Sequence, residues 1–470
     1  MTPRALRSST AFLCAALLGI AGGVAAAQPV PAPPAIEVPA SMLTDVDDDP
    51  DGRGVVRTAM ISLPADLFED PPPQDDPPGV VRIPIGDNTF VELEETRRRV
   101  RDGKTLIVGR DRTQDHSSFM FVREGNSLLR GEIQRMDELI TFTGPQATNG
   151  NVVFKMVIWR PSDLPDEHEP NEASVPTYDA GDPSGGRIQR YALMDTRPEP
   201  SDPVEIDLMV VYTPMAAAMA SAATGEPIAD TIDWFAWHAG MRIEDQTGIK
   251  LNLVHVQQVD YTEEANMAID LQRLECPCDH MLDDVGDNHL NEVFAPWKAK
   301  QADVVSLWIH SADEAGYGNL MSNVNVGWAP RAAHVVAWDT AVANKSFDHE
   351  LGHQFGARHD WSADWTNNQP YPFNHGYVNL DANQVTIMAY TSSCGSYLLC
   401  TRRGIWSDPD YAPVGSWGTA SGAYAANNAR TLETSAPTVS QFDTKHNLVG
   451  CCNKEGGFLF TEYRPGPCPP

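Results

Sequence analysis

Between residues 79 and 160 apolar and polar residues alternate in short runs. They include Val80-Val81-Arg82-Ile83, Thr89-Phe90-Val91-Glu92-Leu93, Thr105-Leu106-Ile107-Val108, Ser118-Phe119-Met120-Phe121-Val122 and Val152-Val153-Phe154-Lys155-Met156-Val157-Ile158, punctuated by Gly, Asp and Asn. A period of two between turn formers predicts a small antiparallel β domain. Residues 28–78 lack that period and are rich in Pro, Ala and Asp, so a flexible, extended segment is expected there. Residues 161–203 return to Pro, Asp, Glu and Gly and read as a linker.

The pattern changes from residue 204. The run Ile206-Asp207-Leu208-Met209-Val210-Val211-Tyr212 predicts a buried strand, ended by Thr213-Pro214. Helical spacing follows at about 229–246, with Ile232, Trp234, Phe235, Ala239 and Ile243 on or near one face and Gly248 as the stop. Strands are expected at Leu251-Asn252-Leu253-Val254-His255-Val256 and Val304-Val305-Ser306-Leu307-Trp308-Ile309, and a helix at 288–300. His334-Val335-Val336-Ala337-Trp338 reads as a strand at the sheet edge. Strands alternating with helices predict an α/β domain over 204–445. Its last part is looser chain from 360, ending in a helix at 423–442 interrupted by Pro437. Residues 446–470 form a cysteine-containing tail.

Composition narrows the classes. A chain of 470 residues has room for two or three domains, and its 42% hydrophobic content suits a globular protein. The net charge of −30 argues against nucleic acid, whose phosphates it would repel, and is compatible with bound Ca²⁺. Asp47-Asp48-Asp49-Pro50-Asp51-Gly52 brushes a calcium-loop pattern, but Thr58 stands where its twelfth-position Glu belongs, so an acidic linker is expected. Residues 1–27 read as a secretory signal: Arg4 and Arg7, an apolar stretch from 11 to 20, then Ala25-Ala26-Ala27 before Gln28. No other stretch is long and apolar enough to span a bilayer. Seven cysteines remain, Cys276, Cys278, Cys394, Cys400, Cys451, Cys452 and Cys468, and export favours disulfides among them. Cys394 and Cys400 make a plausible small loop.

The strongest chemistry is in His349-Glu350-Leu351-Gly352-His353-Gln354-Phe355-Gly356-Ala357-Arg358-His359-Asp360. Two histidines four residues apart lie on one face of a helix and can reach one ion. Glu350 sits beside that face, placed to take a proton from a water that the metal activates. Gly356 can adopt positive φ, stop the helix and fold the chain back, which would deliver His359 as a third ligand. Three protein ligands with one open position are the arrangement of a catalytic zinc site; structural sites are closed by four.

These residues resemble the signature of the metzincin metallopeptidases, H-E-x-x-H-x-x-G-x-x-H. Asp360, directly after the third histidine, is similar to the adamalysin (reprolysin) branch. The family carries a Met-turn beneath its zinc, and Thr386-Ile387-Met388-Ala389-Tyr390 stands where it is expected. Tyr390 resembles the astacin and serralysin branches, where a tyrosine there contacts the metal. The stretch ending Val211-Tyr212-Thr213-Pro214, the run from Ser346 to Asp360 and Met388-Ala389-Tyr390 together look like bacterial peptidyl-Asp metalloendopeptidases over 204–445.

The resemblance implies a fold with a twisted mixed sheet and an active-site helix, α/β or α+β, with a cleft between two halves. It implies a secreted zinc endopeptidase made as a precursor, acting on proteins or peptides. Zinc would be held by His349, His353 and His359, with Glu350 as general base, Tyr390 near the oxyanion, and Gly356 and Met388 as structural supports. Gly316-Tyr317-Gly318-Asn319-Leu320-Met321 could offer the edge on which substrate pairs. The β domain at 79–160 sits where such peptidases keep an inhibitory pro-segment. No cysteine lies between 15 and 275, so latency by a cysteine ligand is excluded; a pro-segment carboxylate could block the metal instead. The competing class is a catalytically silent adhesion or interaction module that has kept the metal site. His375 reads as a loop or supporting residue, and the other histidines lack ligand spacing.

Overall fold

The computed structural model describes residues 36–461, apart from 49–52, 69–79, 87, 102, 115–116, 137, 166–202, 276–289, 312–313, 368, 396–399, 412–415, 443–449 and 453–457. The leader, most of the linker, Cys276, Cys278 and Cys468 lie outside the described residues.

Ten strands form the N-terminal domain: β1 (Ile36–Glu37), β2 (Leu43–Asp47), β3 (Val55–Pro64), β4 (Val80–Gly86), β5 (Thr89–Arg101), β6 (Lys104–Asp111), β7 (Ser118–Glu124), β8 (Ser127–Gln134), β9 (Leu139–Thr148) and β10 (Asn151–Trp159). Their order is β1-β4-β5-β6-β7-β8-β9-β10-β3-β2, and the sheet curls until β2 comes into contact with β4. Arg57 on β3 donates from Nη1 to the Ile85 carbonyl on β4 at 3.0 Å. The inside is filled by Ile61, Leu63, Ile83, Val91, Phe121, Ile140, Phe142 and Phe154, all buried.

This corrects the expectation for 28–78. Residues 55–64 form a strand paired on both sides, with β10 and β2. Ala59, Ile61 and Leu63 alternate inward, a period that the Pro- and Asp-rich flanks hide when the segment is read as a whole. The acidic run at 47–52, of which 49–52 lie outside the described residues, gains no support as a calcium loop. Thr58 is a paired residue of β3, opposite Val157 and Asp47, and not the end of a loop.

The second domain is built on β11 (Glu205–Tyr212), β12 (Lys250–Gln258), β13 (Val304–Ile309), β14 (Gly316–Gly318) and β15 (Ala333–Ala337), in the order β12-β11-β13-β15-β14. All pairs are parallel except β14 with β15, so the sheet is mixed. The strand at 333–337 is therefore interior, and the edge belongs to β14. Helices α1 (Pro214–Thr224), α2 (Ile228–Thr247), α3 (Met267–Glu275), α4 (Asn291–Lys300), α5 (Trp338–Ala343) and α6 (Ser346–Gln354) accompany the sheet. Thr213-Pro214 ends β11 and also starts α1: the Thr213 side chain accepts from Ala216 N–H, and Pro214 fills the first turn. Gly225 and Gly248 close α1 and α2 at φ 76° and 73°. Beyond α6 come three short strands, β16 (Val378–Asn379), β17 (Gln384–Val385) and β18 (Thr401–Arg402), and α7 (Asn428–Val439). Cys394 and Cys400 are disulfide-bonded, with Cα atoms 5.8 Å apart.

The two domains share a core. Strands β6, β7, β9 and β10 are apolar on both faces: Ile107, Phe121, Ile140, Met156 and Ile158 lie in the inner cluster, while Leu106, Val122, Leu139, Val157 and Trp159 lie in the cluster shared with the peptidase helices. Each such side chain contributes about 1.5–3 kcal/mol on burial. Trp159 meets Trp338 edge to face, with ring centroids 5.8 Å apart. Arg53 grips Asp339 with two hydrogen bonds, at 2.7 and 2.9 Å.

Candidate metal centre

Helix α6 carries the first two expected ligands on one face. The chain then turns at Gly356, whose φ is 86°, and brings His359 back to them. His349 and His359 set their Nε2 atoms 3.0 Å apart, and His353 and His359 set theirs 3.2 Å apart. The far nitrogens face main-chain oxygens: His349 Nδ1 lies 2.9 Å from the Ile387 carbonyl, and His353 Nδ1 lies 2.8 Å from the Ala357 carbonyl. A carbonyl can only accept, so Nδ1 of both rings carries the proton and the Nε2 lone pairs converge. Without a cation those lone pairs repel. Nitrogens about 2.0–2.1 Å from a tetrahedral zinc stand about 3.3 Å apart, so the three rings fit such an ion. All three are buried, and among the described residues they are the one group of three or more such side chains that can share a metal. Burial, with His353 and Arg402 nearby, holds the His349 pKa well below its usual value, which keeps the ring in the ligating form.

The stretch 386–390, expected to be a Met-turn, packs against α6. Met388 is fully buried, and a Cβ on Gly352 would come within 2.5 Å of its sulfur and 2.8 Å of the Trp406 ring. Gly352 is therefore a packing requirement of the site, one that the signature, which leaves this position open, does not reveal. Asp360 ties the third-ligand loop to the Met-turn. Its Oδ2 accepts from Tyr390 N–H at 3.1 Å and from the Ser393 hydroxyl at 2.8 Å. The Tyr390 ring centroid is 4.2 Å from that of His359 and 6.2 Å from that of His349. His375 is a support: its Nδ1 lies 2.7 Å from the His359 carbonyl, and its ring stacks on Trp361 at 3.7 Å.

Glu350 is buried against the edge strand. A Cβ on Gly316 would lie 2.6 Å from its Oε1, and one on Gly318 would lie 2.6 Å from its Oε2. Residues two apart on a strand point to the same face, so the two glycines together leave the space that the carboxylate fills. The segment is also tied to α6. Met321 N–H donates to the His353 carbonyl at 3.0 Å, and Gln354 Nε2 donates to the Asn319 carbonyl at 2.9 Å. The Glu350 carboxylate thus stands between the histidine helix and the edge of the sheet. Among the described residues no carboxylate of residues 36–164 joins the histidine group.

Comparison with known proteins agrees with this arrangement. Residues 202–399 match the family Reprolysin_5, described as metallo-peptidase family M12. A peptidyl-Asp metalloendopeptidase of Stenotrophomonas maltophilia strain R551-3 is 32% identical over 204 residues, 43% of this chain and 44% of that protein. One of strain K279a is 30% identical over 207 residues, again 43% and 44%. One of Xanthomonas campestris pv. campestris is 26% identical over 331 residues, 69% of this chain and 70% of that protein. The match thus spans under half the length of the two Stenotrophomonas relatives.

Proposed function

We propose, from the match of residues 202–399 to the reprolysin-like metallopeptidases of family M12, that the chain is a zinc-dependent endopeptidase with a metzincin-like catalytic fold. The convergence of three Nε2 atoms carries the reading. His349, His353 and His359 hold the metal. Zinc, when bound, acidifies water toward a pKa of about 7 and polarises a carbonyl. Glu350 takes the proton of the attacking water and passes it to the leaving amine. Tyr390, whose ring lies against His359, offers its phenol to the developing oxyanion. An extended substrate pairs with the outer edge of β14, so main-chain hydrogen bonds orient the scissile bond across sequences of many kinds.

Substrates are proteins or peptides. The reading carried over from the relatives is cleavage beside aspartate. A peptide library scored by mass spectrometry is expected to show that preference; cleavage indifferent to aspartate would leave a general endopeptidase. Residues 1–27 direct export. The N-terminal domain is made with the peptidase as a precursor, and 161–203 is the segment open to processing. No helix among the described residues is long and apolar enough to cross a membrane. Glu350→Gln is expected to keep zinc and lose cleavage of casein. Turnover by that purified variant would remove Glu350 as the base, and a zinc-loaded wild type that cleaves nothing would favour a silent binding module.

A further inference from the structure

Helix α6 does not cap itself. Its N-cap residue, Lys345, is left-handed at φ 61°, and no side chain there bonds the first turn. The Lys345 ammonium is buried and donates to Gln134 Oε1 on β8 at 2.7 Å. Asp348, one residue before His349, is buried and accepts from Arg242 at 2.9 and 3.1 Å. The same guanidinium lies 3.9 Å from Glu132, also on β8, which stands 3.3 Å from His238 Nδ1. Glu132 and Gln134 are two residues apart and face the same way, while Gly131 between β8 neighbours is turned inward onto Phe121. Gln134 therefore touches the N-cap of the helix that carries His349 and Glu350, and Glu132 reaches its first turn through Arg242.

The outer face of this curled sheet supports the same view. A sheet meant to leave should be polar outside. Here Leu106, Val122, Leu139, Val157 and Trp159 form an apolar face already seated on the peptidase helices. Arg130 adds a buried ion pair with Glu226 and donates to the Asp230 carbonyl at 3.0 Å.

We propose that β8 is a clamp on the metal helix. Glu132 and Gln134 are positioning residues that set its first turn, and the N-terminal domain stays on the peptidase domain as a non-covalent partner after the linker is cut. The activity readout below rests on the peptidase reading; the others do not.

The first test places a site for a sequence-specific protease within 166–202 of the full chain and cuts it. The fragments are expected to co-elute on gel filtration without denaturant and to retain zinc. Fragments that separate, with the larger one keeping its zinc, would overturn the clamp. The second test compares Glu132→Ala/Gln134→Ala, and the milder Glu132→Gln, with Arg99→Ala, which removes a solvent-exposed interdomain pair with Asp245. The β8 variants are expected to lose zinc to a chelator at least tenfold faster, and to lose at least tenfold in kcat with KM within twofold. Arg99→Ala is expected to match wild type in both. Equal behaviour of the β8 and Arg99 variants would reduce β8 to ordinary interface packing. Fast zinc loss in an otherwise inactive protein would strike the peptidase reading and leave the clamp standing.

Discussion

Met388 Sδ occupies the space that a side chain on Gly352 would need, at 2.5 Å from an added Cβ. The sulfur thus fixes how closely the Met-turn approaches the helix of the first two ligands. Gly352→Ala gains helix propensity but overpacks a buried contact, and overpacking costs about 1–3 kcal/mol. A lower melting temperature and weaker zinc retention are expected together. A variant as stable as wild type would show that the Met-turn yields freely.

The edge strand makes a different prediction. Gly318→Ala puts a Cβ 2.6 Å from Glu350 Oε2, and the carboxylate must shift. The three imidazoles are not in that path. Kinetics with metal analysis should therefore show full zinc content and a kcat at least tenfold lower, about 1.4 kcal/mol of lost transition-state stabilisation. Unchanged kcat would mean that the carboxylate is free to move without cost.

What the sequence made legible follows from what is local. The spacing of His349, His353 and Gly356 sets a helix face and an exit, and the structure places both as expected. The inner strands and α2 showed because their periodicity runs over many residues. Gly352, Gly316 and Gly318 stayed hidden because their need arises from a partner distant in sequence. The strand at 55–64 was lost in its Pro-rich flanks, and α1 was missed because Thr213-Pro214 was read only as a strand stop. The two-faced runs in β6 and β7, such as Phe119-Met120-Phe121-Val122, carry apolar residues on both faces, which a reading by alternation passes over.

Acid should weaken the metal-free protein. Burial pushes His334 down to about 3 and lowers His238, His349 and His375. Their unfolded counterparts, with pKa near 6.5, bind protons that the folded forms refuse. This stability is present above about 6.5 and is lost as pH falls below it, by up to about 1.4 kcal/mol per pH unit for each group. Glu275, raised by burial to about 8, and Asp270, raised to about 6, act in the opposite sense, because each takes up a proton on folding. Below about 6.5 the four histidines outnumber those two carboxyls, whereas above it only Glu275 of these six groups changes its charge. Melting temperature measured from pH 6.5 to 5.5 should therefore fall, and a flat or rising profile there would contradict the buried neutral rings.

One titration reaches the central claim. Metal-free protein is mixed with increasing zinc, and cleavage of a peptide substrate is followed at each step. Activity should be absent at the start and rise to a plateau at one zinc per chain. Cleavage by the metal-free protein, or none at full zinc occupancy, would contradict the assignment of His349, His353 and His359 as the catalytic metal site.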